Sequence, residues 1–120
     1  MSPFKGQTGL KRVLNATGYS FDGLRAAFTG EAAFRQLVLL NAVLIPVAFL
    51  LNVSRVERAI LIAVCLLALI VELLNSAVEA AIDRISLERH PLSKNAKDMG
   101  SAAQFVALSM IALIWAVILL

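Results

Sequence analysis

The sequence contains few charged residues, few aromatic residues and a single cysteine. Charged side chains make up 16% of the 120 residues and aromatic side chains 7%, whereas 60% of the residues are hydrophobic. A soluble domain is about a quarter charged, so this composition argues against a water-exposed domain and favours a bilayer protein. Cys65 has no second cysteine with which to form a disulfide. We interpret it as a packing residue.

Two kinds of motif are also missing. The first thirty residues hold no short apolar segment followed by a small-residue cleavage site, so we expect the N-terminus to be retained. The chain has neither a GxxxxGK[ST] loop nor a glycine-rich kinase loop after a strand. Any nucleotide site must therefore be of another kind. No nucleic-acid partner is expected.

Three apolar stretches, at about residues 34–53, 59–82 and 100–120, are long enough to cross a membrane, since a spanning helix needs about 20 residues. Nine of the eleven Lys and Arg residues precede the first stretch, stand at its start (Arg35) or lie between the second and the third. The positive-inside rule therefore predicts a multi-pass protein with a cytoplasmic N-terminus. We treat residues 1–120 as one membrane domain.

Residues 10–30 predict a further helix that lies on the membrane surface. Its apolar face consists of Leu10, Val13, Leu14, Thr17, Phe21, Leu24 and Phe28. Basic residues such as Lys11 and Arg12 fall on the other face, which is typical of a helix in the headgroup layer. Gly18 and Gly23 weaken a helix and can mark a bend. The alternative is a partly disordered basic N-terminus. The predicted fold is all-α, with three transmembrane helices and this surface helix.

The third stretch carries no charged side chain. We interpret it as a scaffold helix, with Ser93 as its expected N-cap. Gln104 is one of its few polar side chains, and Trp115 stands near its outer end, where an indole suits the membrane interface.

The second stretch carries a polar face. Glu72, Asn75, Ser76, Glu79 and Asp83 occur at i, i+3, i+4, i+7 and i+11, which places them within an arc of about 60°. Burying a carboxylate in hydrocarbon costs several kcal/mol, so we interpret this face as functional. Glu72 and Glu79 lie about 10 Å apart along the helix axis and cannot chelate one ion together.

Depth suggests how the polar residues divide their roles. Glu79, Asp83 and Glu31 lie near the cytoplasmic boundary, where two carboxylates and phosphate oxygens can hold Mg²⁺. Glu72 lies deeper, where it is placed as a general base toward a hydroxyl arriving from the lipid. Asn75 can orient a carboxylate or a phosphate. The alternatives are a helix–helix interface, a cation or proton pathway, and a small assembly subunit.

Charge is concentrated between the second and third stretches. The residues are Glu88, Arg89, His90, Lys94, Lys97 and Asp98. A phosphate bound there would need Lys97 as counter-charge and amides of a helix N-terminus. The alternatives are that His90 is a solvated loop residue and that Asp83 forms an ion pair with Arg84 at the boundary.

Five segments together closely resemble the prokaryotic diacylglycerol kinases. They are GYS at 18–20, GLRAA at 23–27, EAAFRQ at 31–36, ELLNSAVEAAIDR at 72–84 and AKDMGSAA at 96–103. The resemblance runs from about residue 10 to residue 120. It implies a homotrimer in the bacterial inner membrane, with active sites between protomers. It also implies transfer of the γ-phosphoryl group of MgATP to the hydroxyl of diacylglycerol, giving phosphatidic acid. Some members phosphorylate undecaprenol instead.

The resemblance also implies roles for single residues. Glu72 would be the general base, assisted by Asn75, and Glu31 and Glu79 would hold the metal that bridges the ATP phosphates. Nucleotide contacts are implied for Arg12, Tyr19, Glu88, Arg89, His90, Lys97 and Asp98. Lipid contacts are implied for Ala16, Thr17, Gly18, Tyr19, Ser20, Phe21, Arg25, Ala33, Phe34, Arg35, Glu72, Ser101 and Trp115. The sequence departs from the family pattern at Arg89, where a tyrosine is expected, and residues 52–58 match it loosely.

Overall fold

The computed structural model describes residues 9–120, which form four α-helices joined by short connections. The helices are α1 (Gly9–Gly30), α2 (Ala32–Leu50), α3 (Arg55–Ile85) and α4 (Pro91–Leu119). Helices α2, α3 and α4 are each long and apolar enough to cross a membrane, and residues 9–120 contain no strand. The predicted all-α fold with three membrane-spanning helices is confirmed. Lys5, which belongs to the basic residues counted for orientation, lies outside the described residues.

A single residue, Glu31, separates α1 from α2. Its backbone is extended, with φ −123° and ψ 109°, so the chain turns there without a loop. Arg35 supports the corner, because its Nη1 donates to the carbonyl oxygens of Phe28 at 2.8 Å and Thr29 at 3.2 Å. These carbonyls end α1 and have no partner within the helix. Helix α1 continues through both of its internal glycines.

The turn between α2 and α3 is closed by side chains at both helix ends. Ser54 Oγ accepts from the amide of Glu57 at 3.1 Å, and Glu57 Oε1 accepts from the amide of Ser54 at 2.9 Å. This reciprocal capping box starts α3. Arg58 donates to the carbonyl oxygens of Ala48 at 3.0 Å and Leu51 at 2.7 Å. These bonds satisfy carbonyl groups at the C-terminal end of α2. The helix ends at Leu50, before the predicted residue 53.

Helix α3 packs chiefly against α4, and also against α2. The buried core residues are Leu37, Val64, Cys65, Ala68, Ala107 and Ile111. Cys65 is 0% exposed, which confirms its interpretation as a packing residue. Trp115 also packs against this core, and its indole Nε1 donates to the carbonyl oxygen of Leu61 at 3.2 Å. Its indole N–H is thus used between α3 and α4, and its placement in the membrane interface stays a prediction.

Helix α4 begins before the apolar stretch that starts at residue 100, and three residues before the start predicted by Ser93 as N-cap. Pro91 occupies the first turn, where its missing N–H carries no penalty. His90 is the N-cap, and its Nδ1 accepts from the amide of Leu92 at 3.1 Å. The prediction of Ser93 as N-cap is therefore wrong, because Ser93 already lies inside the helix. His90 is a capping residue here, although it is exposed as predicted.

Candidate active site

Glu72 is the most deeply buried carboxylate among the described residues. It is 5% exposed and lies on α3 between the apolar residues of the core. Its Oε2 accepts a hydrogen bond from Gln104 Nε2 on α4 at 3.1 Å. A buried carboxylate needs such partners, because it has lost its hydrogen bonds to water. The structure thus places the predicted base away from solvent and holds one of its two oxygens.

Gln104 is a residue that the sequence pattern assigned to a scaffold helix. The usable signal is its position, because Lys97, Gly100 and Gln104 follow one another at i, i+3 and i+7 and share one face of α4. All three meet the polar face of α3: Lys97 contacts Asp83, Gly100 faces Asn75, and Gln104 contacts Glu72. The polar side of α3 is therefore covered by a matching face of α4.

Asn75 lies one turn beyond Glu72 and fits against Gly100. A Cβ at Gly100 would collide with Asn75 Oδ1 and lie 3.1 Å from its Cγ. Asn75 Oδ1 is buried and has no hydrogen-bond partner among the described residues. An unpaired buried acceptor is costly, and this oxygen is enclosed against Gly100 on α4. Asn75 remains a predicted assisting residue.

Glu31, between α1 and α2, and Glu79, on α3, are half-buried carboxylates near Glu72. Both lie close enough to interact electrostatically with Glu72, so the α1–α2 corner and the last turns of α3 converge. Residues 9–120 contain no cluster of three or more His, Cys, Asp or Glu side chains that could hold a metal ion alone. Mg²⁺ commonly takes one or two carboxylates and fills its other positions with phosphate oxygens and water. The hard oxygen donors of Glu31 and Glu79 fit that requirement.

Two ion pairs lie at the end of the α3–α4 pair where the two helices are connected. Lys97 Nζ is 2.7 Å from Asp83 Oδ1, and Lys94 Nζ is 2.6 Å from Asp98 Oδ2. The pair formed by Lys97 and Asp83 joins α4 to α3. The expected pairing of Asp83 with Arg84 is wrong, because Asp83 faces α4.

A cavity of about 610 Å³ opens beside these ion pairs. Five of the seven side chains predicted to contact nucleotide line it: Glu88, Arg89, His90, Lys97 and Asp98. Arg12 and Tyr19 on α1 do not line this cavity. Within one chain, the cavity therefore gathers the predicted nucleotide contacts of the α3–α4 connection and of α4. It does not include the two predicted contacts on α1.

A second, apolar groove of about 560 Å³ lies where α1, α2 and α3 meet. Its lining residues are Phe21, Leu24, Arg25, Phe28, Thr29, Phe34, Val38 and Leu69. Leu69 lies three residues before Glu72, so the groove reaches to within one turn of the buried carboxylate on α3.

The groove gathers part of the predicted lipid-contact set. Phe21, Arg25 and Phe34 line it. The members that do not line it are Ala16, Thr17, Gly18, Tyr19, Ser20, Ala33, Arg35, Glu72, Ser101 and Trp115. Arg35 instead binds the end of α1, and Trp115 binds the backbone of α3.

Comparison with known proteins identifies the family. The model of the family "Prokaryotic diacylglycerol kinase" matches residues 18–119. The diacylglycerol kinase of Pseudomonas aeruginosa is 82% identical over 119 residues, which cover 99% of this chain and 97% of that protein. Those of Haemophilus influenzae and Escherichia coli K12 are 47% and 46% identical over 112 residues, covering 93% of this chain and 95% and 92% of theirs. This chain belongs to the prokaryotic diacylglycerol kinase family.

Proposed function

We propose that the chain transfers the γ-phosphoryl group of ATP to the free hydroxyl of diacylglycerol, giving phosphatidic acid and ADP. Family membership supports the reaction class, since the similar proteins are named diacylglycerol kinases. The observation that carries the proposal is the Glu72 carboxylate. It is buried, bound through one oxygen by Gln104, and one turn from an apolar groove. A lipid hydroxyl and a base can meet there without water.

Glu72 is the general base of this mechanism. It accepts the proton of the lipid hydroxyl, while the hydroxyl oxygen forms a bond to the γ-phosphorus. The bond between that phosphorus and the bridging oxygen breaks, and the electron pair leaves with ADP. Phosphoryl transfer depends mainly on positioning and on neutralising charge. Asn75, one turn beyond Glu72 on α3, assists in the same place.

Glu31 and Glu79 would hold a Mg²⁺ ion together with the ATP phosphates. When it is bound, Mg²⁺ neutralises part of the negative charge of the phosphates. The two glutamates are half-buried and both act electrostatically on Glu72, and a cation relieves the repulsion among three carboxylates. Their carboxylate oxygens are suited to a hard cation.

The cavity beside the α3–α4 connection takes the nucleotide. Lys97 and Arg89 provide positive charge along its wall, and Lys97 exchanges Asp83 for phosphate when ATP binds. The helix N-terminus at Pro91 adds favourable polarity toward an anion. Glu88, His90 and Asp98 remain proposed contacts at the rim.

The active protein is a homotrimer with its active sites between protomers. The position of Arg12 and Tyr19 supports this arrangement, because neither lines the nucleotide cavity of its own chain. In a trimer, α1 of one protomer completes the cavity of its neighbour. Sedimentation in detergent should give a protein mass three times the 12.9 kDa of the chain. A fully active single chain would contradict the shared site.

Diacylglycerol enters through the groove at the junction of α1, α2 and α3. The groove supplies apolar contacts through Phe21, Phe34 and Leu69. Arg25 lines the same groove and contacts the polar end of the lipid. The N-terminus faces the cytoplasm of a bacterial inner membrane, as the distribution of basic residues predicts. Both the nucleotide cavity and the groove then open near the cytoplasmic surface.

The identity of the acceptor is tested by a direct comparison of two lipids. Purified protein in mixed micelles is supplied with MgATP and either diacylglycerol or undecaprenol, and the phosphorylated lipid is measured. Efficient formation of phosphatidic acid is expected, with little undecaprenyl phosphate. Preferential phosphorylation of undecaprenol would replace the proposed acceptor, and ATP-independent ion flux without either product would favour a pore.

A further inference from the structure

Gln104 reaches from α4 across to two groups on α3. Its Nε2 donates to Glu72 Oε2 at 3.1 Å and also lies 3.4 Å from the carbonyl oxygen of Ala68. Ala68 and Glu72 are four residues apart, so both acceptors lie on the same face of α3. One amide group therefore bridges the backbone and the buried carboxylate.

Close packing of the two helices fixes this amide in place. Ala68 is fully buried, and Ala107, one turn after Gln104 on α4, is 3% exposed. Small side chains at both positions allow the helices to approach closely. Gln104 Oε1 is buried and has no hydrogen-bond partner in the described part of the chain. Burying an amide with one half unpaired is unfavourable, so the stabilising contribution of Gln104 comes from what its Nε2 binds.

We propose that Gln104 is a positioning residue for phosphoryl transfer. It holds Glu72 Oε2 against α4, and Oε1 is thereby directed toward the lipid hydroxyl whose proton it accepts. This inference rests on the proposed role of Glu72 as the general base. Gln104 does not touch the reacting atoms and acts through the carboxylate alone. The effect is geometric, since a displacement of about 1 Å in a reacting group can lower a rate by about a hundredfold.

The competing explanation is that Gln104 only ties α4 to α3. A purely structural tie would show itself in the unfolding temperature and leave the turnover number of the folded protein unchanged, even though losing the hydrogen bond to Glu72 shifts the infrared band of that carboxylate under either explanation. A positioning role requires that kcat and the hydrogen bonding of Glu72 change together. The two explanations therefore predict different sets of measurements.

The experiment compares Gln104→Met and Gln104→Leu with wild type in mixed micelles. Methionine nearly matches the length of glutamine and adapts to its surroundings, which preserves packing, and leucine provides a second apolar variant if one does not fold. Ser109→Ala is the matched control. Ser109 is exposed on α4 and its hydroxyl donates to the carbonyl of Phe105 in its own helix. Glu72→Gln identifies the infrared carboxylate band of Glu72 by difference.

We expect Gln104→Met to lower kcat by at least about tenfold and to leave the KM for ATP within about twofold of wild type. The infrared band assigned to Glu72 should shift in this variant and stay in place in Ser109→Ala. Wild-type kcat in both Gln104 variants, or a lowered kcat with an unmoved Glu72 band, would overturn the positioning role. If wild type forms no phosphatidic acid, the proposed function itself fails. An active wild type beside fully active Gln104 variants refutes only the role of Gln104.

Discussion

Replacing Gly100 by alanine is expected to lower turnover far more than stability. The new Cβ would overlap Asn75 Oδ1 and lie 3.1 Å from Asn75 Cγ and 3.9 Å from its Cβ. All of these atoms belong to the Asn75 side chain. The overlap is therefore relieved by turning Asn75 away, without moving the backbone of either helix.

The two opposing contributions to stability nearly cancel. Alanine is favoured over glycine within a helix by about 1 kcal/mol. Forcing Asn75 off its preferred rotamer costs about 0.5–1.5 kcal/mol. The unfolding free energy should thus stay within about 1 kcal/mol of wild type. The amide of Asn75, however, leaves its place beside Glu72, which should lower kcat by about ten- to a hundredfold.

The assay measures phosphatidic acid formation and thermal unfolding on the same detergent-solubilised samples. Gly23→Ala is the matched control, because a Cβ at Gly23 meets nothing within 4 Å. It should gain the same helix propensity and remain fully active. Wild-type kcat in Gly100→Ala would refute the reasoning, as would a loss of activity explained wholly by unfolding.

Two further predictions concern Asp83 and Trp115. Asp83→Asn removes the carboxylate that pairs with Lys97 at 2.7 Å; because exposed ion pairs contribute up to about 1 kcal/mol, the KM for ATP should fall by up to about fivefold. A raised KM would instead mean that Asp83 itself supports nucleotide binding. Trp115→Phe removes the indole N–H that donates to Leu61 at 3.2 Å and should lower the unfolding free energy by about 0.5–1.5 kcal/mol, measured by denaturation in detergent. If the KM for lipid rises while stability is unchanged, Trp115 contacts lipid rather than holding α4 to α3.

The sequence alone was sufficient for features that depend on one helix at a time. The three spans follow from hydropathy, and the shared face of Glu72, Asn75 and Glu79 follows from helical periodicity. The burial of Cys65 follows from the apolar run that contains it. None of these inferences needs the register between two helices.

The interactions that the sequence did not predict are contacts between α3 and α4, and they depend on how these two helices pack. Gln104 appears inert until packing of the helices brings it to Glu72. Asp83 and Arg84 are adjacent in sequence and point in different directions around the helix, so Asp83 pairs with Lys97 instead. The hydrogen bond from Trp115 to the carbonyl of Leu61 likewise depends on the packing of α4 against α3, so the sequence pattern does not predict it.

The start of α4 was predicted three residues too late, because His90 and not Ser93 is the N-cap. The apolar run begins near residue 100, but His90 and Pro91 supply an N-cap and a preorganised first turn much earlier. Lys97 and Asp98 lie on α4, as an N-cap at Ser93 would also have placed them.

The most direct test of the account is the turnover of Glu72→Gln with MgATP and diacylglycerol. Glutamine keeps the size of the side chain and removes the proton acceptor, so phosphatidic acid formation should fall by at least about a hundredfold while helicity and the oligomeric mass stay unchanged. Glu57→Gln, which alters a glutamate at the opposite end of α3, should retain full turnover. Wild-type turnover in Glu72→Gln would contradict the assignment of the buried carboxylate as the base.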